Sequence, residues 1–291
     1  MPTPPPPSPA VTVVMATRNR RADTLSALAH LRAMEPPSPL VVVDNASCDG
    51  TEDAVRRSFP GVDVVRLAEN AGACARNVGA GRAGTPYVAF SDDDSWWADG
   101  ALARAAAVLD AHPRVAVVMA RLLVGPDEAL DPTCAEMARA PLGTITGTPY
   151  PRIVGFVACG AVVRGTAFLD AGGFDPVVRF PGEEQLLALD LMASGWELAY
   201  VDDVVAHHHP QERADRADRS SDILRSQLLT SWLRDPWWMC ARTTGRAAVL
   251  SLRSGRHRRA LGQALARAWR VPSRRRVAPS GVRGDVARAS G

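Results

Sequence analysis

Three consecutive carboxylates, Asp92, Asp93 and Asp94, cut short the apolar run Tyr87-Val88-Ala89-Phe90. Adjacent carboxylates repel and cannot share a buried place unless positive charge neutralises them. A divalent cation does this economically, because Mg²⁺ and Mn²⁺ take carboxylate oxygens and hold a phosphate-bearing substrate through one or two of them. Asp92 and Asp94, two apart in a loop, can reach one such ion. A lone acid triplet can equally be a solvated turn at a helix N-terminus, so the other polar positions decide. Asp44 ends a second apolar run, where it can accept hydrogen bonds from a base or ribose or cap its own turn. Arg76 offers a planar fork to a phosphate or base, or a solvated helix face. Glu183 and Glu184 open a helical stretch, an ordinary helix N-terminal charge arrangement. His207, His208 and His209 supply imidazoles for a metal or for the surface.

The elements that must position these groups alternate. Residues 11–15, 40–43, 62–67, 86–90 and 115–124 read as strands. Helical spacing covers 22–34, 51–59, 72–83 and 98–111. Alternating strands and helices of this size give an α/β fold, a doubly wound, mostly parallel sheet with helices on both faces. Such sheets bind ligands beyond the carboxyl ends of their strands. Thr17, Arg18 and Asn19, then Asp44, then the acid triplet each follow a strand, so they converge on one edge. Strand character returns over 153–163 and 197–201, with a helix at 183–194 between them; 126–151 reads as a long loop.

Composition removes several chemistries. All 34 basic residues are Arg, with no Lys, which excludes a Schiff base or a Walker-type phosphate lysine. The five cysteines form no C-x-x-C pair, so neither a zinc site nor a disulfide framework is expected. Residues 242–291 hold 13 Arg against the single acid Asp285, a formal +12 in a chain whose total is +3, so the remainder carries −9. An acidic body of that kind is no general nucleic-acid binder. The basic stretch 211–272 is expected to form a helical appendage that lies on an anionic membrane surface or caps the acidic body. Residues 1–10 read as a Pro-rich disordered leader and 273–291 as a disordered tail.

In order, Val13 to Arg20, Val41 to Thr51, Asn70-Ala71-Gly72 with Ala75-Arg76-Asn77, Asp92-Asp93-Asp94, Gly172-Gly173-Phe174-Asp175, Gly182-Glu183-Glu184 and the histidine run resemble the family 2 glycosyltransferases of the GT-A fold. The resemblance covers about two-thirds of the chain and implies one catalytic domain over 11–210. Its nucleotide half is 11–120 and its acceptor half 121–210. It implies a nucleotide pocket lined by Thr17, Arg18, Asn19, Asp44, Asn70, Gly72 and Asp93, with Arg76 offered to a phosphate or the base and Asp92 near the ribose and metal. It implies Mn²⁺ or Mg²⁺ on Asp92, Asp94 and His207, and Glu184 as the base, with Glu183 in reserve. The family usually has Asp where Glu184 stands and a second acid where this chain has Leu186. Trp96 and Trp97 are either a sugar-stacking pair or core.

The expected function is therefore inverting, metal-dependent transfer of a sugar from a nucleoside diphosphate sugar to an acceptor hydroxyl, on a lipid-linked or cell-envelope glycan, in the cytoplasm or at the inner face of the membrane. A non-catalytic nucleotide-sugar binder and a metal-dependent hydrolase are the rivals. The hydrolase leaves Asp44 and Arg76 without a role. A dinucleotide-binding oxidoreductase is excluded, because no G-x-G-x-x-G turn follows the first strand.

Overall fold

The computed structural model describes residues 10–210 and 219–289. The first half is the expected alternation: β1 (Val11–Thr17), α1 (Arg21–Ala33), β2 (Leu40–Asp44), α2 (Thr51–Ser58), β3 (Asp63–Arg66), α3 (Ala75–Arg82) and β4 (Tyr87–Ser91). Strands β1, β2 and β4 are almost wholly buried and rich in β-branched residues, as strands covered on both faces must be. A Cβ at Gly79 would overlap Val14 Cγ1, so the glycine lets α3 lie close on β1 and β2.

The second half comprises β5 (Ser95–Trp97), α4 (Ala101–Ala111), β6 (Val115–Val124), β7 (Ala129–Leu130), α5 (Pro132–Met137), β8 (Ala161–Arg164), α6 (Gly165–Asp170), α7 (Glu183–Ala193) and β9 (Glu197–His208). Among the described residues these strands form one sheet in the order β3-β2-β1-β4-β8-β6-β9-β5, with β7 beside β6. The sheet is mostly parallel, and β8 runs antiparallel between β4 and β6. Thr17 pairs with Asp44 and Met15 with Ser91, so β1, β2 and β4 deliver their following residues to the same edge.

Two local differences from the sequence expectation matter for the site. The acid triplet leads into the short strand β5, which pairs antiparallel with the end of β9. Strand β9 runs on through His208. The expected strand ended at Val201, but β9 steps over residues 202–204 and resumes its pairing with β6 at Val205.

A helical unit follows: α8 (Arg219–Arg234), α9 (Trp237–Ser251), α10 (Gly255–Leu265) and α11 (Ser280–Ala289). Leu228, Leu229 and Leu233 of α8 form a second core with Leu186 of α7, Ala264 and Val271. Leu186, 1% exposed, is thus a packing residue between catalytic body and appendage, which accounts for an apolar side chain where the resembling family carries an acid. The tail expected to be disordered is instead ordered from 273 to 289. The Arg276 N–H donates to Leu233 O at 3.0 Å and the Ala278 N–H to Arg234 O at 2.8 Å, satisfying carbonyls that the end of α8 leaves without helical partners. The leader, except Ala10, and residues 211–218 of the expected appendage lie outside the described residues.

Candidate active site

The site is assembled at the carboxyl edge of β1, β2 and β4. Asp44 is fully buried; its Oδ1 accepts from Ser47 N at 2.8 Å, whereas Oδ2 has no hydrogen-bond partner among the described residues. Arg66 approaches that oxygen only to 3.7 Å. A buried carboxylate oxygen without a donor is costly, so the position suits a ligand N–H. Asn45 fixes the facing loop. Its Oδ1 accepts from Ala71 N at 2.7 Å and its amide donates to Gly72 O at 3.1 Å, while Asn70 Oδ1 accepts from Gly72 N at 2.9 Å. Gly72 has φ +61°, a left-handed conformation that favours glycine. Asn19 Oδ1 accepts from Cys48 N at 2.7 Å and ties the loop after β1 to the loop after β2, with Arg18 exposed beside it.

The three aspartates have separate roles. Asp93 points inward, where Thr17 Oγ1 donates to it at 2.9 Å and Arg20 reaches it at 2.6 Å. Burial pushes its carboxyl up to about 7 against the pull of Arg20, and Asp92 and Asp94 push the same way. Thr17 and Asp93, expected in the nucleotide pocket, are therefore turned to each other as an internal brace; Thr17 also bonds Thr24 at 2.8 Å. Asp92 and Asp94 face the site. Asp92 is ion-paired with Arg76. Asp94 accepts from Arg20 at 3.1 Å and lies 3.3 Å from His208 Nε2. Burial alone would raise the Asp94 carboxyl, but His208 and Arg20 hold it below the usual carboxylate range.

His207, the expected metal ligand, is directed elsewhere. Its Nδ1 lies 2.7 Å from Glu128 Oε2, and His209 Nε2 lies 3.1 Å from Glu128 Oε1. Side chains alternate along a strand, so His208 shares the inward side of buried Ala206 while His207 and His209 turn the other way. The Asp92, Cys159 and His208 ligand atoms all lie within 4.8 Å of one another. A carboxylate and an imidazole are donors that Mn²⁺ and Mg²⁺ accept, so Asp92 and His208 fit such an ion, and Asp94 meets this group through His208, 3.3 Å away. Trp97 is 2% exposed and belongs to the core, and the Trp96 ring is stacked with His30 at 4.1 Å and His207 at 5.6 Å.

Opposite the aspartates stand the two glutamates that open α7. Glu183 is fully buried and neither carboxylate oxygen has a hydrogen-bond partner among the described residues; Arg76 NH1 is 4.0 Å away. Burial first, then the charge of Glu184, pushes Glu183 up to about 8. Glu184 is half-buried and is also raised by burial. Arg76 thus stands between the aspartate and glutamate sides. Asn77, next to it, holds the turn before α7 through paired 2.9 Å hydrogen bonds with the Phe174 backbone N–H and C=O. Sequence reasoning gave no role to Arg20, Asn45, Asn77 and Cys159 and preferred His207 to His208; of these only Cys159 stood outside the motifs that carry the resemblance.

A mostly parallel curled sheet with acids, a basic fork and raised glutamates at its carboxyl edge defines a GT-A-type sugar transferase. The family described as "Glycosyl transferase family 2" matches residues 12–169, more than half of the chain, and the chain belongs to that family of glycosyltransferases. It is similar to the N-acetylglucosaminyl-diphospho-decaprenol L-rhamnosyltransferase of Mycobacterium tuberculosis, 26% identical over 260 residues, 76% of this chain and 84% of that one. Among solved structures it resembles the mannosyltransferase PcManGT from Pyrobaculum calidifontis in complex with GDP-Man and Mn²⁺. The TM-score is 0.61 at 22% identity, over 97% of this chain and 79% of that one. S. aureus TarS 1-349 in complex with UDP-GlcNAc aligns over 89% of this chain and 72% of that one, with TM-score 0.57 and 19% identity. Of the longer TarS chain this protein spans 39%.

Proposed function

We propose that this glycosyltransferase moves a sugar from a nucleoside diphosphate sugar to a hydroxyl of a lipid-linked glycan, with inversion at the anomeric carbon and with Mn²⁺ or Mg²⁺ bound. The observation that carries the reading is the pair Glu183 and Glu184, with raised proton affinity, set across Arg76 from the Asp92, Asp94 and His208 donors. The similar rhamnosyltransferase, named for a diphospho-decaprenol acceptor, supports the acceptor class.

In this reading the Asp44 carboxylate accepts an N–H of the base. The 70–72 loop, pinned by Asn45, shapes the pocket beside it, with the Thr17–Asp93 brace behind. Asp92, Asp94 and His208 would hold the cation, which supplies Lewis-acid stabilisation of the charge that develops on the departing diphosphate. Arg76 offers a second positive group to the same phosphates. Half-buried Glu184 takes the proton of the acceptor hydroxyl, and its raised proton affinity suits that role near neutral pH. The acceptor oxygen forms the new bond to the anomeric carbon from the face opposite the diphosphate, whose bond to that carbon breaks with its electron pair. One displacement of this kind inverts the centre.

The test is transfer from radiolabelled donors to polyprenyl-diphosphate glycans with Mn²⁺, Mg²⁺ or chelator, with the product anomer read by NMR. Glu184→Gln should bind donor normally and lose about 10²- to 10⁴-fold in transfer. Retained transfer in that variant would move the base to another residue. A retained anomeric configuration would overturn the single displacement, and turnover in chelator would overturn the cation.

A further inference from the structure

We infer that α9 docks the protein on the surface of an anionic lipid bilayer, with Trp238, Val249 and Leu252 entering the headgroup region and Arg242, Arg246 and Arg253 meeting lipid phosphates. The surface is argued from α9 itself. Only its purpose, bringing Glu184 to a lipid-linked hydroxyl, rests on the proposed acceptor.

The inward side of α9 is made of small or satisfied groups. Cys240 is buried with its thiol 3.1 Å from Ser231 O, Thr244 Oγ1 accepts from Trp232 Nε1 at 2.7 Å, and Ala247 packs on the second core. The outward side is the more apolar one, the reverse of an ordinary surface helix. Trp238, Val249 and Leu252 are 64%, 66% and 78% exposed. At about 100° per residue they fall in one stripe that runs on to Leu252 in the turn capping α9, and only small residues, Ala241, Gly245 and Ala248, lie between them. Arg242, Arg246 and Arg253 fall together along one border of that stripe. The Arg242 guanidinium lies 5.9 Å from the Trp238 ring centre, a pairing that keeps an indole and a cation at the same depth.

Charge selects the partner. No Asp or Glu occurs from Pro236 to Gly284, so the row of arginines has no counter-charge on α9 or on α10 after it. An anionic surface supplies it, while long arginine side chains let the apolar stripe sink below the phosphates. A nucleic acid would use the arginines but has no use for exposed Val249 and Leu252. The stripe is a straight line along one helix, which a bilayer accommodates without a matching groove. No helix of the described residues is long and apolar enough to cross a membrane, so α9 would lie in the interface plane.

The experiment is flotation of the full chain with phosphatidylcholine vesicles, with and without phosphatidylglycerol, at low and high salt, with tryptophan emission as a second readout. The wild type should float with the anionic vesicles, less so at high salt, and its emission should shift to the blue. The triple variant Arg242→Gln, Arg246→Gln, Arg253→Gln should bind about a hundredfold more weakly. The double variant Trp238→Ser, Leu252→Ser should lose about tenfold or more. Circular dichroism melts keep folding separate from binding. Absence of wild-type flotation, or flotation of both variants equal to that of the wild type, overturns the proposal. So does light scattering that shows a wild-type dimer made monomeric by the double variant, which would make the stripe a protein interface. Transfer to a short water-soluble acceptor should be unchanged in both variants. A failure of transfer to any polyprenyl glycan, with vesicle binding intact, would overturn the acceptor and leave the surface standing.

Discussion

His208 Nε2 lies 3.3 Å from Asp94 Oδ1, and the His209 N–H donates to Asp94 O at 2.8 Å, so the end of β9 is laced directly to the last residue of the acid triplet. The neighbouring His207 is instead held by Glu128 at 2.7 Å. One residue along a strand is a change of face. His208→Ala should therefore weaken Mn²⁺-dependent nucleotide binding about 10- to 100-fold, the usual cost of disturbing a metal's supporting ligands. His207→Ala should leave it nearly unchanged. Calorimetric titration with Mn²⁺ and nucleoside diphosphate checks the pair, and equal losses would put both imidazoles at the metal.

Asp44 carries a prediction about the base. Its Oδ1 is occupied by Ser47 N, and its buried Oδ2 has no donor. Uracil, thymine and guanine bring a ring N–H to such an oxygen, whereas cytosine brings a ring nitrogen lone pair that the carboxylate repels. UDP, dTDP or GDP should bind more tightly than CDP. Asp44→Asn keeps the Ser47 hydrogen bond but turns an amide toward the base, and should cost the preferred nucleotide at least about tenfold by leaving polar groups opposed. Titration of all four diphosphates against both proteins reads the effect; a CDP preference in the wild type would contradict it.

What could be read in the sequence, and what could not, follows from the range of the interactions involved. The shared edge of Asp44 and the acid triplet was legible because strand ends of a parallel sheet converge, a rule that needs only local patterns, whereas Arg76, on α3, was singled out by the resemblance. The inward turn of Asp93 was not, since its cause is the distant pair Thr17 and Arg20. The choice of His208 over His207 depends on the irregularity at residues 202–204, which restarts strand pairing and sets which residue faces in. Cys159 is one cysteine without a spacing partner, and only the fold brings it to Asp92 and His208. Leu186 read as a departure from an acidic motif, but its neighbours are the leucines of α8.

The segment after Ser273 should contribute to stability. Besides the Arg276 and Ala278 backbone bonds, Arg275 donates to Trp232 O and, at 2.5 Å, to Asp235 O, so four successive carbonyls at the end of α8 receive donors from this one stretch. Truncation after Pro272 would return those carbonyls to water. With each hydrogen bond worth about 0.5–1.5 kcal/mol net, a loss of about 2–6 kcal/mol is expected. Urea denaturation of the two chains measures it, and an unchanged midpoint would show that the tail is dispensable.

Glu183 should make stability fall as pH rises. In the folded protein, burial and the neighbouring Glu184 push its carboxyl up to about 8, with Arg76 at 4.0 Å only partly opposing them. In an unfolded chain a glutamate ionises near about 4.3. Between those two values the native state holds a proton that the unfolded state has released, so the unfolded state binds fewer protons and stability declines with pH. The contribution is complete below about pH 4 and is lost as pH climbs through the folded value. Glu183→Gln removes the ionisation while keeping the shape, so the melting temperature of the variant relative to wild type should increase from pH 5 to pH 9. Thermal melts across that range test it directly. A constant difference would mean that Arg76 already keeps Glu183 charged.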